Sequence, residues 1–149
     1  MKPDLHTDVV QLIRRRIDPD EYRDIRKLWI AHSIAEDSRD IPGLMATLTE
    51  DCVYTVVNKG VDWYGKAGAT QFYQQLLTSF PDIHFDLQNI VIGPQGVFEE
   101  AFVSGTYASQ WLDMPAPEGQ RVEFTVTILF PWDPIQKLFT GERVYIFLK

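Results

Sequence analysis

Helical periodicity dominates the first half of the chain. In residues 18–40 apolar positions recur every three or four residues, as they do in a helix that is buried on one side. The inward-facing positions of this helix are Ile25, Leu28, Trp29 and His32. Asp18 is a candidate capping residue, Pro19 suits the first turn, and Glu21 completes a capping-box spacing. The sequence therefore predicts a long amphipathic helix that ends before Pro42.

Four shorter segments complete this half of the chain. DLHTDVVQLIRRRID predicts an amphipathic helix whose apolar face carries Leu5, Val9, Leu12 and Ile13. GLMATLTED is predicted as a short helix, CVYTVV as a strand, and AGATQFYQQLLTSF as a helix that ends at Pro81. We interpret residues 1–17 as an amphipathic N-terminal extension and residues 18–149 as one domain.

Strand-like runs replace helices after residue 82. The four runs are IHFDLQNIVI, GVFEEAFVSGTYASQWL, RVEFTVTILFPW and KLFTGERVYIF, separated by turns rich in glycine or proline. The second run is long, from Val97 to Trp111, and we expect it to bend at Gly105. Helices followed by consecutive strands indicate an α+β fold, in which a curved antiparallel sheet wraps around the N-terminal helices. This arrangement leaves room for a pocket between the two layers.

Composition and charge narrow the classes of partner. The 149 residues suit one domain with its own core. The net charge of −7 repels phosphate backbones, so we expect no nucleic-acid partner. No apolar run approaches the roughly 20 residues that cross a bilayer, and no charged and apolar leader opens the chain. Together with the single cysteine, these features predict a cytoplasmic protein with no membrane partner.

Metal and nucleotide chemistry finds little support in the sequence. His6, His32 and His84 lack the spacing of a metal site. Cys52 follows two acidic residues, whose charge disfavours a thiolate, so we expect it to be a small buried residue. GKAGAT at 65–70 lacks the flanking glycines and the Lys-Ser/Thr end of a phosphate-binding loop. We therefore expect neither a metal nor a cofactor.

Four segments in a fixed order carry a family resemblance. They are WYGKAGATQFYQQLLTSFPDIHF, GTY at 105–107, EGQRVEF and LFTGERVYIF. Over about residues 20–147 the chain resembles the SnoaL-like polyketide-cyclase branch of the nuclear transport factor 2-like superfamily. The resemblance implies a cone-shaped curved antiparallel sheet around N-terminal helices, enclosing a pocket. It says less about function, because that superfamily includes cyclases, isomerases, dehydratases and non-catalytic binding domains.

Two positions depart from the resembled cyclases. Those enzymes are similar to one another in using an aspartate on the penultimate strand and the histidine of a Gly-Thr-His motif for proton transfer. Here Tyr107 stands in the histidine position, and the aspartate position falls at Thr127 or Ile128. Neither Thr127 nor Ile128 can take a proton from carbon, so we do not expect the cyclase chemistry to carry over with the fold.

Two glutamates remain on strands that we expect to line the cavity. They are Glu100, in VFEEAF, and Glu142, in GERVY. A carboxyl group in an apolar pocket has a raised pKa, which suits a general base near neutral pH. Only one of Glu99 and Glu100 can face inward on a regular strand. Our hypothesis is that Glu142 is the catalytic base or hydrogen-bonding acid, with Glu100 or His32 as its counterpart.

Each catalytic candidate also has a structural interpretation. Glu142 could form an ion pair with Arg121 or Arg143, which would lower its pKa instead of raising it. Glu100 could lie in solvent at a bulge, and His32 could be a hydrogen-bonded core residue. The candidate ligand-binding residues are Tyr54, Trp63, Tyr107, Trp111, Thr127 and Tyr145. Aromatic residues at strand spacing also serve as core.

Three functions stay open at this point. The first is a cofactor-free enzyme that transfers protons on a small apolar or aromatic ligand with a carbonyl group, as an isomerase, cyclase, dehydratase or hydrolase. The second is a non-catalytic binding or carrier domain with the same pocket. The third is a dimeric interaction module. The run from Val122 to Phe130 is apolar on both faces toward its end, so we expect a homodimer through the sheet.

Overall fold

The computed structural model describes residues 5–148, with side chains from residue 9 onward. Leu5 and His6 therefore lie outside the described side chains. The helices are α1 (Leu5–Arg14), α2 (Pro19–Asp37), α3 (Ile41–Met45) and α4 (Gly65–Ser79), and a 3-10 turn spans Val57–Lys59. The strands are β1 (Leu48–Val56), β2 (Val61–Tyr64), β3 (His84–Gly93), β4 (Gly96–Thr106), β5 (Arg121–Asp133) and β6 (Leu138–Leu148).

The α+β class is confirmed. The short helix predicted over residues 43–51 ends at Met45, because residues 48–51 already belong to β1. The helix α2 starts as predicted, with Asp18 accepting a hydrogen bond from the Glu21 backbone amide. The long second strand is shorter than predicted, because β4 ends at Thr106 and residues 107–120 form a loop. At this end the backbone amide of Ala108 donates to the carbonyl of Ser79, so the chain turns away from the sheet toward the end of α4.

All six strands form one curved sheet in the order β2-β1-β6-β5-β4-β3. Four of the five neighbouring pairs are antiparallel, whereas β1 and β6 are parallel. The hairpin formed by β1 and β2 thereby extends the antiparallel sheet of β3 to β6. As a result the closing strand β6 lies in the interior of the sheet, paired on both edges.

A bulge in β6 sets the direction of Glu142. Between the pairs Leu129–Arg143 and Trp132–Phe139, β6 has one more residue than β5. The extra residue places both Phe139 and Glu142 on the buried face. Gly141 sits in this bulge with a φ of 131°, and a Cβ there would lie 1.8 Å from the Val53 carbonyl oxygen. Only glycine fits so close to β1 at this point.

No bulge lies at Gly105, where a bend of the long strand was predicted. The register between β4 and β5 runs without interruption from Gly96 to Thr106. The register shifts of the sheet lie elsewhere, in β3 near Leu87, in the pairing of β1 with β6 and in the pairing of β5 with β6. Bulges of this kind bend a strand and increase its twist.

The concave face of the sheet and the helices enclose the core. Alternate residues of each long strand point inward, such as Val97, Glu99, Ala101 and Val103 on β4. The intervening residues form the outer face, where large apolar side chains stay exposed. These include Phe98, Phe102 and Phe147. The core is thus one-sided, and the sheet's other face has no cover within the described residues.

The helix α1 lies apart from this core. Its predicted apolar face is largely exposed at Val9, Leu12 and Ile13. A hydrogen bond of 2.7 Å from Gln95 Nε2 to the Leu12 carbonyl links it to the turn between β3 and β4. Between residues 5 and 148, no helix combines the length and hydropathy needed to cross a bilayer.

Candidate functional site

The imidazole of His32 is held at the floor of the cone. His32 lies on the inner face of α2 and is 2% exposed. Its Nδ1 is 2.8 Å from the hydroxyl of Thr47, and that hydroxyl donates to the Leu44 carbonyl at 2.7 Å. Because the Thr47 proton is used in this way, Nδ1 must be the donor to Thr47. The tautomer is therefore fixed, and Nε2 faces the interior of the domain.

Glu142 meets His32 from the opposite wall. Its Oε2 lies 3.2 Å from His32 Nε2, and the Glu142 residue is also 2% exposed. The hydroxyl of Tyr73 donates to the same Oε2 at 2.6 Å and lies 3.1 Å from Nε2. The Tyr54 hydroxyl is 2.8 Å from that of Tyr73. His32 of α2 and Tyr73 of α4 therefore meet on one carboxylate oxygen of the closing strand, and Tyr54 of β1 extends the cluster through Tyr73.

Counting protons defines the state of this contact. Since Tyr73 has one proton and gives it to Glu142, it cannot also donate to Nε2. Without a further proton, two lone pairs would face each other between Nε2 and Oε2. One proton is therefore shared by His32 and Glu142, as an imidazolium with a carboxylate or as a neutral imidazole with a carboxylic acid. Either form is neutral overall, which suits the buried position.

The two tyrosines remain protonated donors in this cluster. Burial raises the pKa of both the Tyr54 and the Tyr73 hydroxyl well above the ordinary value, and the nearby charge of Glu142 raises them further. Neither phenol competes with His32 and Glu142 for the shared proton. Their role at neutral pH is to donate hydrogen bonds.

A narrow apolar slot adjoins Glu142. Its walls are Glu36, Phe72, Leu76, Ile83, Phe85, Trp111, Phe124, Val126, Ile128, Glu142 and Val144. The slot offers about 20 Å³ to the centre of a water molecule, enough for about one water. The indole N–H of Trp111 is buried without an acceptor among the described residues. Trp111 thus brings an unused hydrogen-bond donor to a site whose remaining walls are mostly apolar.

A second space, the acidic chamber, lies beside the slot. We define it by the residues that line it, namely Trp29, His32, Ser33, Glu36, Asp37, Phe85, Leu87, Glu99, Ala101 and Phe130. It offers about 50 Å³ to the centre of a water molecule. Glu36 and Phe85 line both the chamber and the slot. These two side chains therefore form the partition between the two spaces.

Two carboxyl groups of the chamber hold protons more tightly than usual. Burial raises the pKa of Glu99 from 4.5 to about 8, with a further contribution from the charge of Glu142. The pKa of Glu36 is raised well above its ordinary value, first by burial and then by the charges of Glu142 and Glu99, while Arg39 acts in the opposite sense. The interior therefore concentrates acidic groups that repel one another.

The structure brings Glu142 together with His32 and not with Glu100. Glu100 lies on the outer face and accepts a hydrogen bond from Asn89 Nδ2 at 2.9 Å. Its neighbour Glu99 takes the inward position, so the expectation that Glu100 lines the cavity is corrected. The reason is the phase of β4, in which odd-numbered residues face inward.

The ion pair considered for Glu142 is not formed. Arg143, the next residue on β6, points to the outer face and is exposed. Arg121 pairs with Thr106 at the far end of β5. Glu142 instead has His32 and Tyr73 as its partners, so its environment is set by α2 and α4 rather than by a neighbouring arginine.

The predicted pocket walls have mixed positions. Trp111 lines the slot, and Tyr54 belongs to the hydrogen-bonded cluster behind it. Trp63 packs against Phe72 with ring centroids 5.1 Å apart. The Tyr107 hydroxyl is used by the loop that follows β4, accepting from the Trp111 amide at 2.9 Å and donating to the Met114 carbonyl. Trp63 and Tyr107 are therefore core residues rather than lining residues.

Thr127 and Tyr145 were placed on the wrong face. Both lie on the outer side of the sheet, where they are half-buried and paired in register across β5 and β6. On the closing strand, Val144 and Ile146 share the buried face of Glu142, whereas Tyr145 points to the other side.

Four site residues were missing from the sequence interpretation. They are Glu36, Thr47, Tyr73 and Glu99. Glu36 follows His32 by one helical turn, and Tyr73 shares the buried stripe of Ala69, Phe72 and Leu76 on α4. A polar residue inside an apolar helical stripe was therefore a readable signal for both. Thr47 carries no comparable signal, because it precedes β1 outside any periodic segment.

The comparisons with known proteins agree with this architecture. The family model of the SnoaL-like domain matches residues 29–133, more than half of the chain. The chain belongs to the SnoaL-like family. The matched part of the SnoaL-like domain contains His32, Glu36, Tyr73 and Glu99, whereas Glu142 lies beyond it. The sequence comparison with the curated proteins gives no match.

Solved structures share the fold of this SnoaL-like domain at low identity. A protein from Jannaschia sp. CCS1, assigned as a SnoaL-like polyketide cyclase, is 16% identical with a TM-score of 0.75, covering 89% of this chain and 90% of its own. An assigned polyketide cyclase from Xanthomonas campestris is 22% identical with a TM-score of 0.67, over 84% and 91%. An LEH-like epoxide hydrolase from M. tuberculosis is 18% identical with a TM-score of 0.65, over 85% and 84%.

These three similarities establish the fold of the SnoaL-like domain and no particular reaction. The Jannaschia and Xanthomonas proteins are assigned as cyclases and the M. tuberculosis protein is named as an epoxide hydrolase, so one scaffold carries different chemistry. The residues of the present site, rather than the scaffold, have to decide the function.

Replacing Tyr73 by phenylalanine tests the buried cluster. The variant Tyr73→Phe removes the hydrogen bond that the Tyr73 hydroxyl donates to Glu142. It also leaves the Tyr54 hydroxyl without its partner. We expect the free energy of unfolding to fall by about 2–3 kcal/mol, as for other buried polar groups that lose a hydrogen bond. Urea denaturation measures this change. The matched control is Tyr145→Phe on the outer face, for which we expect a change within about 0.5 kcal/mol; equal effects of the two variants would contradict the cluster.

Stability should fall as pH rises because of Glu99. Between its unfolded pKa of 4.5 and its folded pKa of about 8, the folded state keeps a proton that the unfolded state loses. The contribution is complete below the lower value and is lost above the higher one. We expect the free energy of unfolding to decrease by up to about 1.4 kcal/mol per pH unit in this window.

The variant Glu99→Gln should flatten this pH profile, and Glu36 leaves a residual slope of the same sign. The free energy of unfolding, measured by urea denaturation at several pH values, tests this expectation. Glu100→Gln on the outer face is the matched control and should keep the wild-type profile. A Glu99→Gln profile as steep as that of the wild type would disprove the role of Glu99.

Proposed function

We propose that this SnoaL-like domain is a cofactor-free enzyme that transfers a proton on an apolar ligand carrying a carbonyl group. The observation that carries the proposal is the contact of 3.2 Å between His32 Nε2 and Glu142 Oε2 beside an apolar slot. A carboxylate in such surroundings becomes an effective base, because water no longer competes for it. The imidazole supplies the balancing charge.

The two carboxylate oxygens of Glu142 have different surroundings, which suggests a different role for each. His32 and Tyr73 both contact Oε2, so Oε1 is the oxygen that we assign to the ligand. In the ion-paired form Oε1 takes a proton from the carbon next to the ligand carbonyl. The electron pair of that C–H bond becomes the carbon–carbon double bond of an enolate, and the π pair of the carbonyl moves onto its oxygen. In a ligand with a double bond between its β and γ carbons, return of the proton to the γ carbon completes an isomerisation without any cofactor.

The enolate oxygen needs a donor, and Trp111 is the candidate. Its buried indole N–H has no acceptor within the described residues, and the side chain lines the slot. An oxygen that accepts from it would remove an unsatisfied polar group and stabilise the developing charge. Because the slot holds about one water, a ligand has to displace slot side chains such as Phe85 on binding.

A non-catalytic binding or carrier domain is the second candidate function. The apolar lining supports it, and so does the complete satisfaction of His32 by Thr47, Tyr73 and Glu142. A carrier binds the same ligands without moving a proton. Binding and proton exchange therefore have to be measured separately.

Exchange of carbon-bound hydrogen tests the proposal. We expect the wild-type protein to accelerate deuterium incorporation next to the carbonyl of 2-tetralone in D₂O, measured by proton NMR. Glu142→Gln keeps the shape of the side chain but cannot accept a proton, so we expect at least about a hundredfold loss of this acceleration. Glu100→Gln, whose carboxyl lies on the outer face, should retain the wild-type rate.

Each outcome of this experiment decides between the two functions. Equal rates for the wild type and Glu142→Gln would contradict the catalytic role of Glu142. Ketone binding without any accelerated exchange would establish the carrier alternative. The absence of binding for both 2-tetralone and its hydrocarbon analogue tetralin would remove the slot as a ligand site.

We also propose a two-fold dimer through the outer face of the sheet. The support is a group of exposed phenylalanines on the outer face, which has no cover within residues 9–148. Phe98 and Phe102 lie on β4, and Phe147 lies on β6, two strands away. Light scattering at micromolar concentration should give twice the 17.2 kDa mass of the chain. Phe102→Glu should shift the protein to the monomer, and a monomeric wild type would disprove the dimer. The cytoplasmic location stays a prediction.

A further inference from the structure

Glu99 is a buried acidic group without a partner. It is 8% exposed, and its side chain lines the acidic chamber. It has no hydrogen bond or ion pair among the residues that the structure describes, although most buried carboxyls are paired. Among the described residues, the side-chain polar atoms that are fully enclosed without a hydrogen-bond partner are Thr49 Oγ1 and Trp111 Nε1. The oxygens of Glu99 are not among them, so they are not fully enclosed. The carboxyl group therefore opens into the chamber rather than into packed core.

The chamber surrounds Glu99 with further acidic and aromatic groups. Glu36 and Asp37 contribute two more carboxyls from α2, and three aromatic rings complete the walls. The rings are those of Trp29, Phe85 and Phe130. Aromatic faces and carboxylates together form a favourable environment for an organic cation. An anionic ligand would find no cation among the lining residues except His32, whose proton Glu142 already shares.

Other cations fit this arrangement less well. A metal ion needs several ligands close enough to bind it at once, and no such group of His, Cys, Asp and Glu exists in the described part of the chain. Among the lining residues, His32 is the one that can carry a positive charge, and Glu142 already shares its proton. The chamber therefore has no internal cation that could pair with an ionised Glu99. An external cation larger than a metal ion would supply that positive charge.

We propose that the acidic chamber binds the protonated amino group of an apolar ligand, with Glu99 as the ion-pairing residue. The space of about 50 Å³ open to water centres accommodates an ammonium group and its adjoining carbon atoms. The remainder of the ligand passes Phe85 and Glu36 into the apolar slot, which shares both residues with the chamber. The proposal rests on the proposed function in one respect, that the slot receives the apolar part of the ligand.

The register of β4, β5 and β6 gives the distance between the sites for the two ends of such a ligand. Glu99 is aligned with Ile128 of β5, and Ile128 is aligned with Val144 of β6, next but one to Glu142. Two strand spacings therefore separate Glu99 from the strand of Glu142, roughly 10 Å. A ligand of two or three carbon atoms between an amine and an aromatic ring fits this separation. The ligand class is thus an aryl-alkyl amine rather than an acid, and a substrate of the proposed proton transfer would carry a carbonyl group in addition.

Three probes of matched shape test the charge preference. They are 2-phenylethylamine, 2-phenylethanol and 3-phenylpropanoate, titrated against the full chain by calorimetry or by NMR shifts. We expect the amine to bind at least about tenfold more tightly than the alcohol and the acid to bind most weakly. Glu99→Gln should lose this preference through weaker amine binding, with the alcohol affinity kept. Glu100→Gln, on the opposite face, should behave as the wild type.

Proton release gives a readout that a merely structural glutamate would not show. With a pKa of about 8, Glu99 is largely protonated at pH 7 when the chamber is empty. An ammonium group that pairs with it displaces that proton, while His32, Glu36 and Asp37 of α2 and Glu142 of β6 modulate the effect through their charges. Calorimetry in two buffers of different ionisation enthalpy should show release of about one proton for the wild type and none for Glu99→Gln.

The outcomes separate this proposal from the catalytic one. Equal binding of the three probes, or an amine affinity unchanged in Glu99→Gln, would overturn the amine site even if 2-tetralone exchange proceeds. A clear amine preference in a protein that catalyses no exchange would leave the amine site established and the catalytic role disproved. Amine binding without proton release would assign the preference to the aromatic walls and remove Glu99 from it.

Discussion

The contact between His32 and Glu142 joins the helical layer to the closing strand, and much of the interior is arranged around it. Burial of an isolated charge costs several kcal/mol, so the carboxylate can stay inside the cone only with a proton or a cation beside it. His32 provides that partner from α2, Tyr73 donates from α4, and Thr47 fixes the ring. Removing one member of such a buried pair generally costs about 3–5 kcal/mol.

The geometry of the sheet places Glu142 where it can contact His32. β6 reaches the interior of the sheet because it pairs in parallel with β1 and antiparallel with β5. The bulge at Gly141 then turns Glu142 inward at a point where a side chain on the preceding residue would collide with the Val53 carbonyl. A regular strand would direct either Phe139 or Glu142 to the outer face. The bulge therefore adds an acidic side chain to the core and interrupts the regular pairing of β6 with β5 at that point.

The interior is unusually acidic for a space with so many apolar walls. Glu36, Glu99 and Glu142 face it from three elements. The charge of Glu142 raises the pKa of both Glu36 and Glu99, and the charge of Glu99 raises that of Glu36 further. Such a set of carboxyls costs stability at higher pH, which a purely structural core would avoid. The same feature suits a site that must hold and release protons or bind a cation. The slot and the chamber share Glu36 and Phe85, so a single ligand could reach both the proposed proton-transfer site and the proposed cation site.

The sequence by itself determined the class of fold, because helical and strand periodicities are local and occupy separate halves of the chain. It also placed His32 on a buried stripe, since that follows from position within one helix. The inward direction of Glu142 was a hypothesis that only the bulge in β6 decided. The sequence could not choose between Glu99 and Glu100, or place Thr127 and Tyr145 correctly, because the face of a strand depends on register and bulges set by neighbouring strands. The partnership of His32 with Glu142 joins residues 110 positions apart in the chain, and only the tertiary structure brought them together. Tyr73 and Thr47 belong to the site for the same reason: a hydrogen bond depends on distances of a few tenths of an ångström, which no local pattern contains.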